Sequence, residues 1–138
     1  MFSKYIGLKY SNLGRDFSGV DCFGLIYLVY SQERKIILPD FTELKYNTDW
    51  SKKENYIVNN IWDDWIEVYQ PYKLFDILLF YNSPKKVVVN HAAIYINNDK
   101  ILHILEEDTT SQISRLDKFW TSKLYKVLRF KEEIKSIG

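Results

Sequence analysis

Hydrophobic spacing changes its period about halfway along this 138-residue chain. From Cys22 to Tyr30 nearly every position is apolar, which predicts a helix buried on more than one side. A short helix or turn over Lys4 to Tyr10 and a loop punctuated by Gly14 and Gly19 lead into it, and Ser31-Gln32-Glu33-Arg34 followed by Leu38-Pro39-Asp40 ends it. Between Phe41 and Gln70, Tyr56, Ile57, Ile61, Trp65 and Val68 recur at helical intervals behind a capping-box pair, Ser51 and Glu54. That spacing predicts a second, amphipathic helix. The period then shortens: Asp76 to Tyr81 predicts a buried strand and Asn82-Ser83-Pro84-Lys85 a loop, with further strands over Val87 to Ile96, Lys100 to Leu105 and Leu124 to Phe130. Helices first and an antiparallel meander afterwards predict one α+β domain over residues 1–138, with the Cys22 helix laid on the sheet.

Composition removes several functional classes. Nineteen basic residues against 18 acidic leave a net charge of +1, so no global field recruits nucleic acid or an anionic membrane. No stretch approaches 18 uninterrupted apolar residues, and the opening Met1-Phe2-Ser3-Lys4-Tyr5-Ile6-Gly7 lacks an export-type apolar core. The expectation is a soluble protein without a signal peptide, cytoplasmic when made. The glycines do not follow a phosphate-cradling pattern. One cysteine excludes an intramolecular disulfide and a cysteine-rich zinc site, and His103 beside Glu106-Glu107-Asp108 is a poor transition-metal set, so neither metal nor cofactor is expected.

The remaining chemistry centres on that cysteine. Cys22 stands where a turn opens into the apolar helix, and a thiolate there gains from free amides and the helix dipole, which would draw its pKa from about 8.5 toward neutrality. The chain has two histidines, His91 and His103, twelve positions apart on strands that flank Asn97-Asn98-Asp99. A two-residue loop would pair Ile94 with His103 and send the imidazoles to opposite faces. A three-residue loop would pair Tyr95 with Ile101 and put both rings on one face, on a diagonal of roughly 7 to 8 Å.

Tyr10, Asp21-Cys22-Phe23-Gly24-Leu25, Asp76-Ile77-Leu78-Leu79-Phe80, His91-Ala92-Ala93-Ile94-Tyr95-Ile96 and Ile101-Leu102-His103 together resemble the NlpC-type cell-wall peptidases, a branch of the papain-like cysteine peptidases. The resemblance runs from about Tyr5 to Phe130, and cysteine precedes histidine as in the peptidase branch rather than the acyltransferase branch. It implies a papain-like fold with N-terminal helices on an antiparallel sheet of about five strands. It implies that Cys22 is the nucleophile, His91 the general base and His103 the residue orienting that base. Tyr10 would support the oxyanion, and Asp21 would receive the free amine of a peptidoglycan stem peptide cleaved between D-glutamate's side-chain carboxyl and the next diamino acid.

Two positions depart from the family pattern: Phe23 replaces a small hydroxyl residue, and Phe75 stands where glycine is common. Leu38-Pro39-Asp40 and the absent export signal look like the branch found with phage tails, which implies tail-protein partners and a virion-associated or partner-delivered enzyme. The rival readings are a non-catalytic binding module on the same fold and a thiol-dependent amidase or acyltransferase. Most of the dense aromatic content, including Trp62, Trp65 and Trp120, reads as core packing, Tyr69, Tyr72 and Tyr81 as groove candidates, and Lys85-Lys86 as a solvated tip.

Overall fold

The computed structural model describes residues 2–39, 64–81, 89–105 and 109–131. Helix α1 (Cys22–Val29) buries every side chain except that of Tyr27, as its unbroken apolar run requires. It begins because Asp21, in an extended conformation, accepts the Gly24 N–H at 2.8 Å and so satisfies a donor that the first turn leaves open. It ends in a wider turn over Tyr30–Arg34, closed by Lys35 in the left-handed region at φ 57°. Ahead of it, β1 (Arg15–Asp16) and β2 (Gly19–Val20) form a small antiparallel hairpin against the helix start. The approach is close: a Cβ on Gly24 would lie 1.8 Å from the Gly14 carbonyl oxygen.

Six strands make the main sheet: β3 (Trp65–Glu67), β4 (Ile77–Tyr81), β5 (Val89–Tyr95), β6 (Lys100–His103), β7 (Gln112–Arg115) and β8 (Leu124–Phe130). Their spatial order is β3-β8-β4-β5-β6-β7, antiparallel throughout. A single-turn helix, α2 (Lys118–Thr121), links β7 to β8. One face, with Ile77, Leu79, Ala92, Ile94, Leu102 and Leu128, packs on α1; the other, with Leu78, Phe80, Ala93, Tyr95, Ile101 and Val127, packs under Trp120 and Leu124. No helix among the described residues is long and apolar enough to cross a membrane.

The structure corrects the expected count of about five strands and the extent of the second helix. β7 carries no strand signal in the sequence because it is mostly exposed and lacks apolar alternation. Trp65, placed by spacing on a helix, belongs to edge strand β3, where it pairs with Phe130 and buries its ring against Tyr30 and Phe130. Residues 40–63, which hold most of that predicted helix along with Trp62, lie outside the described residues, as do Lys85-Lys86 and Glu106-Glu107-Asp108.

Phe75 resolves one departure from the family pattern. It adopts φ 75°, the left-handed conformation that glycine takes without penalty and that opposes an L side chain by about 1–2 kcal/mol. Its ring makes edge contacts with Phe2 and Tyr30 and lies 5.2 Å from the Arg34 guanidinium, packing that offsets the strain. The turn then delivers Asp76, fully buried and gripped by Arg129 through two 2.8 Å bonds, which ties β8 to the start of β4.

The Gly14 to Gly24 contact yields a stability prediction. Gly24→Ala is expected to destabilise the fold by about 2 kcal/mol or more through overpacking. Urea unfolding measures it, and an unchanged midpoint would contradict the close approach.

Candidate active site

Cys22 is the first residue of α1, 7 % exposed, and its sulfur lies within reach of the backbone amides of Phe23 and Ala92. Ala92 directly follows His91 on β5. The β5–β6 ladder pairs Tyr95 with Ile101 and Ile94 with Leu102, the register of a three-residue loop, and Asn97, Asn98 and Asp99 all take positive φ to make it. His91 and His103 therefore share a face, and His91 Nε2 lies 2.8 Å from His103 Nδ1.

The chain of contacts continues past His103, whose Nε2 lies 2.8 Å from Ser114 Oγ on β7. The tautomers that leave His91 able to accept a proton have His91 Nε2–H donating to His103 and His103 Nε2–H donating to Ser114. His91 Nδ1 then carries a lone pair. Trp120 packs on both imidazoles, with ring centres 5.5 Å from His91 and 4.9 Å from His103, and Phe80 stacks on His91 from the neighbouring strand. Neither Ser114 nor this use of Trp120 was apparent in the sequence: a serine on an exposed strand carries no signal, and a tryptophan in a short helix looks like core.

Both histidines lie on the face of Phe80 and Trp120, whereas Cys22 belongs to the cluster containing Ala92 and Ile94 on the α1 face. Cys22 and His91 approach β5 from different sides. Among the described residues no hydrogen bond joins the resting thiol to an imidazole, a loose arrangement common before substrate binds.

Asp21 is 2 % exposed. One oxygen accepts from the Gly24 amide and from Arg15 Nη1, each at 2.8 Å, and the other from the Leu13 amide at 2.9 Å. The amine-receiving role implied by the resemblance would therefore bring an ammonium to a carboxylate whose charge Arg15 already matches. Tyr10 bridges to Val20, two residues before Cys22, donates its backbone N–H to Thr109, and packs its side chain against the cluster that contains Cys22. Phe23 is buried in that same cluster.

Burial governs the protonation states. It pushes the Cys22 thiol up to about 12, helped by the Asp21 carboxylate and opposed by the Ala92 amide, Arg15 and the Phe23 amide. This reverses the expectation of a pKa drawn toward neutrality: loss of hydration outweighs the helix start. His91 is held well below its ordinary value by burial, then by His103 and Lys123, and burial lowers His103 to about 4. The resting site at neutral pH is a thiol beside two neutral imidazoles.

Beside His91 opens a cleft of about 260 Å³ lined also by Tyr81, Asn90, Leu105, Phe119, Trp120 and Lys123. The NlpC/P60 family model matches residues 7–129, most of the chain and all of this site. The chain belongs to the NlpC/P60 family.

Relatives of this NlpC/P60 chain are distant. It is 28 % identical over 128 residues to the gamma-DL-glutamyl hydrolase of Bacillus subtilis (strain 168), covering 92 % of the chain and 27 % of that enzyme, so it spans about a quarter of the curated relative. Among solved structures, the NlpC/P60 domain of the peptidoglycan hydrolase SagA superposes with a TM-score of 0.58 at 23 % identity, covering 92 % of this chain and 91 % of that one. NlpC1 from Trichomonas vaginalis gives 0.66 at 18 % identity, over 91 % and 40 % of the two chains. These likenesses bear out the papain-like NlpC/P60 fold with an antiparallel sheet.

Two outcomes follow from the protonation states. Iodoacetamide should label Cys22 in the folded protein more slowly than free cysteine at pH 7, with the rate climbing only at strongly alkaline pH; labelling faster than free cysteine would restore the thiolate reading. Each histidine is neutral when folded but takes up a proton near pH 6.5 when unfolded, so the unfolded state binds more protons below that value. Their stabilising contribution is complete above about pH 6.5 and, for His103, is lost progressively as pH falls toward about 4. Urea midpoints between pH 7 and 4 should drop less steeply in His103→Gln than in the unmutated protein.

Proposed function

We propose that this NlpC/P60 domain is a cysteine endopeptidase acting on peptidoglycan stem peptides, at the amide between the side-chain carboxyl of D-glutamate and the following diamino acid. The observation that carries the reading is the 2.8 Å contact from His91 Nε2 to His103 Nδ1, since it leaves His91 Nδ1 as a base at the residue whose neighbour touches the thiol. Support for the bond type comes from the curated relative, named for hydrolysis of gamma-glutamyl linkages.

The chemistry uses groups already placed. His91 Nδ1 takes the proton of Cys22, and the sulfur attacks the scissile carbonyl carbon to form a C–S bond. The carbonyl oxygen gains negative charge, and amides at the start of α1 are aimed where such charge develops, with Tyr10 as a second donor. The imidazolium then gives its proton to the amide nitrogen, the C–N bond breaks, and the diamino acid half leaves as an amine. Water, deprotonated by His91, attacks the thioester and releases the γ-carboxyl product along with the thiol. His103 accepts a bond from the charged imidazolium and Ser114 holds His103 in the accepting tautomer, so the charge is met by fixed dipoles in place of water. Asp21 contributes by fixing the Cys22 turn, and in the same proposal phage-tail proteins carry the domain to the wall.

Digestion of purified muropeptides, with products weighed by mass spectrometry, tests this. The unmutated protein should release fragments ending in γ-D-glutamate, Cys22→Ala should release none while remaining folded, and His103→Ala should lose less rate than His91→Ala. No cleavage of any muropeptide would transfer the preference to a binding module.

A further inference from the structure

A hydrogen bond between two imidazoles fixes two atoms and leaves the ring planes unsettled. Each ring turns about a broad χ2, and a half-turn of His91 would put carbon where Nε2 now meets His103. A half-turn of His103 would break its contacts at both nitrogens, each 2.8 Å long, to His91 and to Ser114. The pair keeps one arrangement only if packing opposes both turns. Phe80 stacks on His91, with ring centres 5.8 Å apart. Trp120 reaches both imidazoles: its ring centre lies 5.5 Å from that of His91 with 33° between the planes, and 4.9 Å from that of His103 with 82°. The indole therefore lies obliquely over one ring and nearly perpendicular to the other, and neither can turn without displacing it.

The indole is itself held. Its ring meets Phe80 at 5.3 Å and Phe119 at 5.0 Å. The Trp120 amide donates to the Asp117 carboxylate that caps α2, at 3.3 Å, and the Leu116 amide donates to the Asp99 carbonyl at 2.7 Å. Asp99 belongs to the turn whose three positive-φ residues set the register of β5 and β6. One turn thus puts the histidines on a shared face and anchors the segment that carries the indole to that face.

We propose that Trp120 is a positioning residue for the His91–His103 pair: its indole blocks rotation of both rings, so the pair keeps the arrangement in which His91 Nδ1 is the proton acceptor. The use made of that acceptor rests on the proposed function; the arrangement of the rings does not. Among the described residues, the titratable groups around His91 are His103 from β6, Lys123 ahead of β8, Tyr81 from β4 across the cleft, and Cys22 of α1 beside Ala92. Burial, then His103 and Lys123, oppose protonation of His91, and burial opposes that of His103. Trp120 supplies part of that burial, so its loss admits water and lets both rings take up protons at higher pH. Lys123 remains in every Trp120 variant and acts in the opposite direction, so it does not account for such a rise.

Nitrogen-15 NMR of the imidazoles tests the assignment, with two histidines to assign in the chain. In the unmutated protein each ring should show a single tautomer, with the proton on Nε2. In Trp120→Ala the signals should average between tautomers, and protonation should move toward pH 6.5, for His103 from about 4. Trp120→Phe should keep most of the single-tautomer pattern. Asp117→Ala, an exposed change that loosens α2, should move the signals the same way by less, and Asp117→Asn should restore them; this pair carries the test if Trp120→Ala does not fold. On muropeptides at pH 7, Trp120→Ala should lower kcat by up to about a hundredfold. It should also move the acid limb of kcat/KM to higher pH, a limb that a loss of stability alone leaves in place. Single-tautomer signals in Trp120→Ala, or an unmoved acid limb, overturn the positioning role. Averaged signals in Trp120→Ala together with no cleavage by the unmutated protein support that role and overturn the hydrolytic reading instead.

Discussion

A carboxylate with 2 % of its surface exposed must find charge and donors inside the protein, and Asp21 finds them in three directions at once. The Gly24 amide ties it to the helix it caps, Arg15 to the β1–β2 hairpin, and the Leu13 amide to the loop before that hairpin. The hairpin can come near enough only because Gly24 has no side chain. Cys22, between Asp21 and Gly24, has its backbone held on both sides. Loss of the carboxylate would leave Arg15 and two amides without that acceptor and release the turn that holds the thiol, so the position of Cys22 depends on this one buried group more than on anything that touches the sulfur.

The same burial makes the site electrically quiet at rest. A thiol pushed up to about 12 beside imidazoles pushed down does not form an ion pair spontaneously. In the proposed reaction, proton transfer therefore has to coincide with the arrival of a carbonyl that takes up the developing charge. The dry surroundings that disfavour isolated ions also strengthen each fixed dipole: the amides at Phe23 and Ala92 on one side of the transfer, and the His103 to Ser114 relay on the other. Trp120, packed over both rings, keeps water from competing for their nitrogens.

Much of this was legible before any coordinates, and for a physical reason: strict alternation along a strand lets a loop length determine which side chains share a face. Three consecutive residues tolerant of positive φ, Asn97 to Asp99, made the register that joins His91 to His103 one of two possibilities. The place of Cys22 at a helix start followed from the boundary between a polar turn and an apolar run. Protonation did not follow, because the helix start is a local property and desolvation is a property of everything packed around it. Ser114 was hidden for a related reason: it is an ordinary polar residue whose meaning lies in a partner on another strand. Trp65 misled because a few residues at helical spacing also suit an edge strand when one ring of the three-residue strand is buried. Phe75 misled in the opposite sense: its side chain suggested a changed turn, yet aromatic packing holds the glycine-like backbone in place.

The separation of thiol and imidazole onto different faces of β5 explains why the candidate site lies where the sheet loses its regularity. On a continuous ladder, side chains from opposite faces are screened from each other by backbone. Here the β4–β5 register shifts between Phe80 and Tyr81, and the β5–β6 ladder is not continued beyond Ile94 and Leu102 toward His91 among the described residues. Asn90 is the extra residue of β5 at that shift, which bends the strand beside His91, and the Ala92 amide two residues on lies within reach of the Cys22 sulfur. In the proposed reaction that amide stabilises charge on the sulfur. In the proposed reaction, this bend in β5 is what would let Cys22 on one face and His91 on the other act on a single amide bond, which a regular, backbone-screened strand would keep apart.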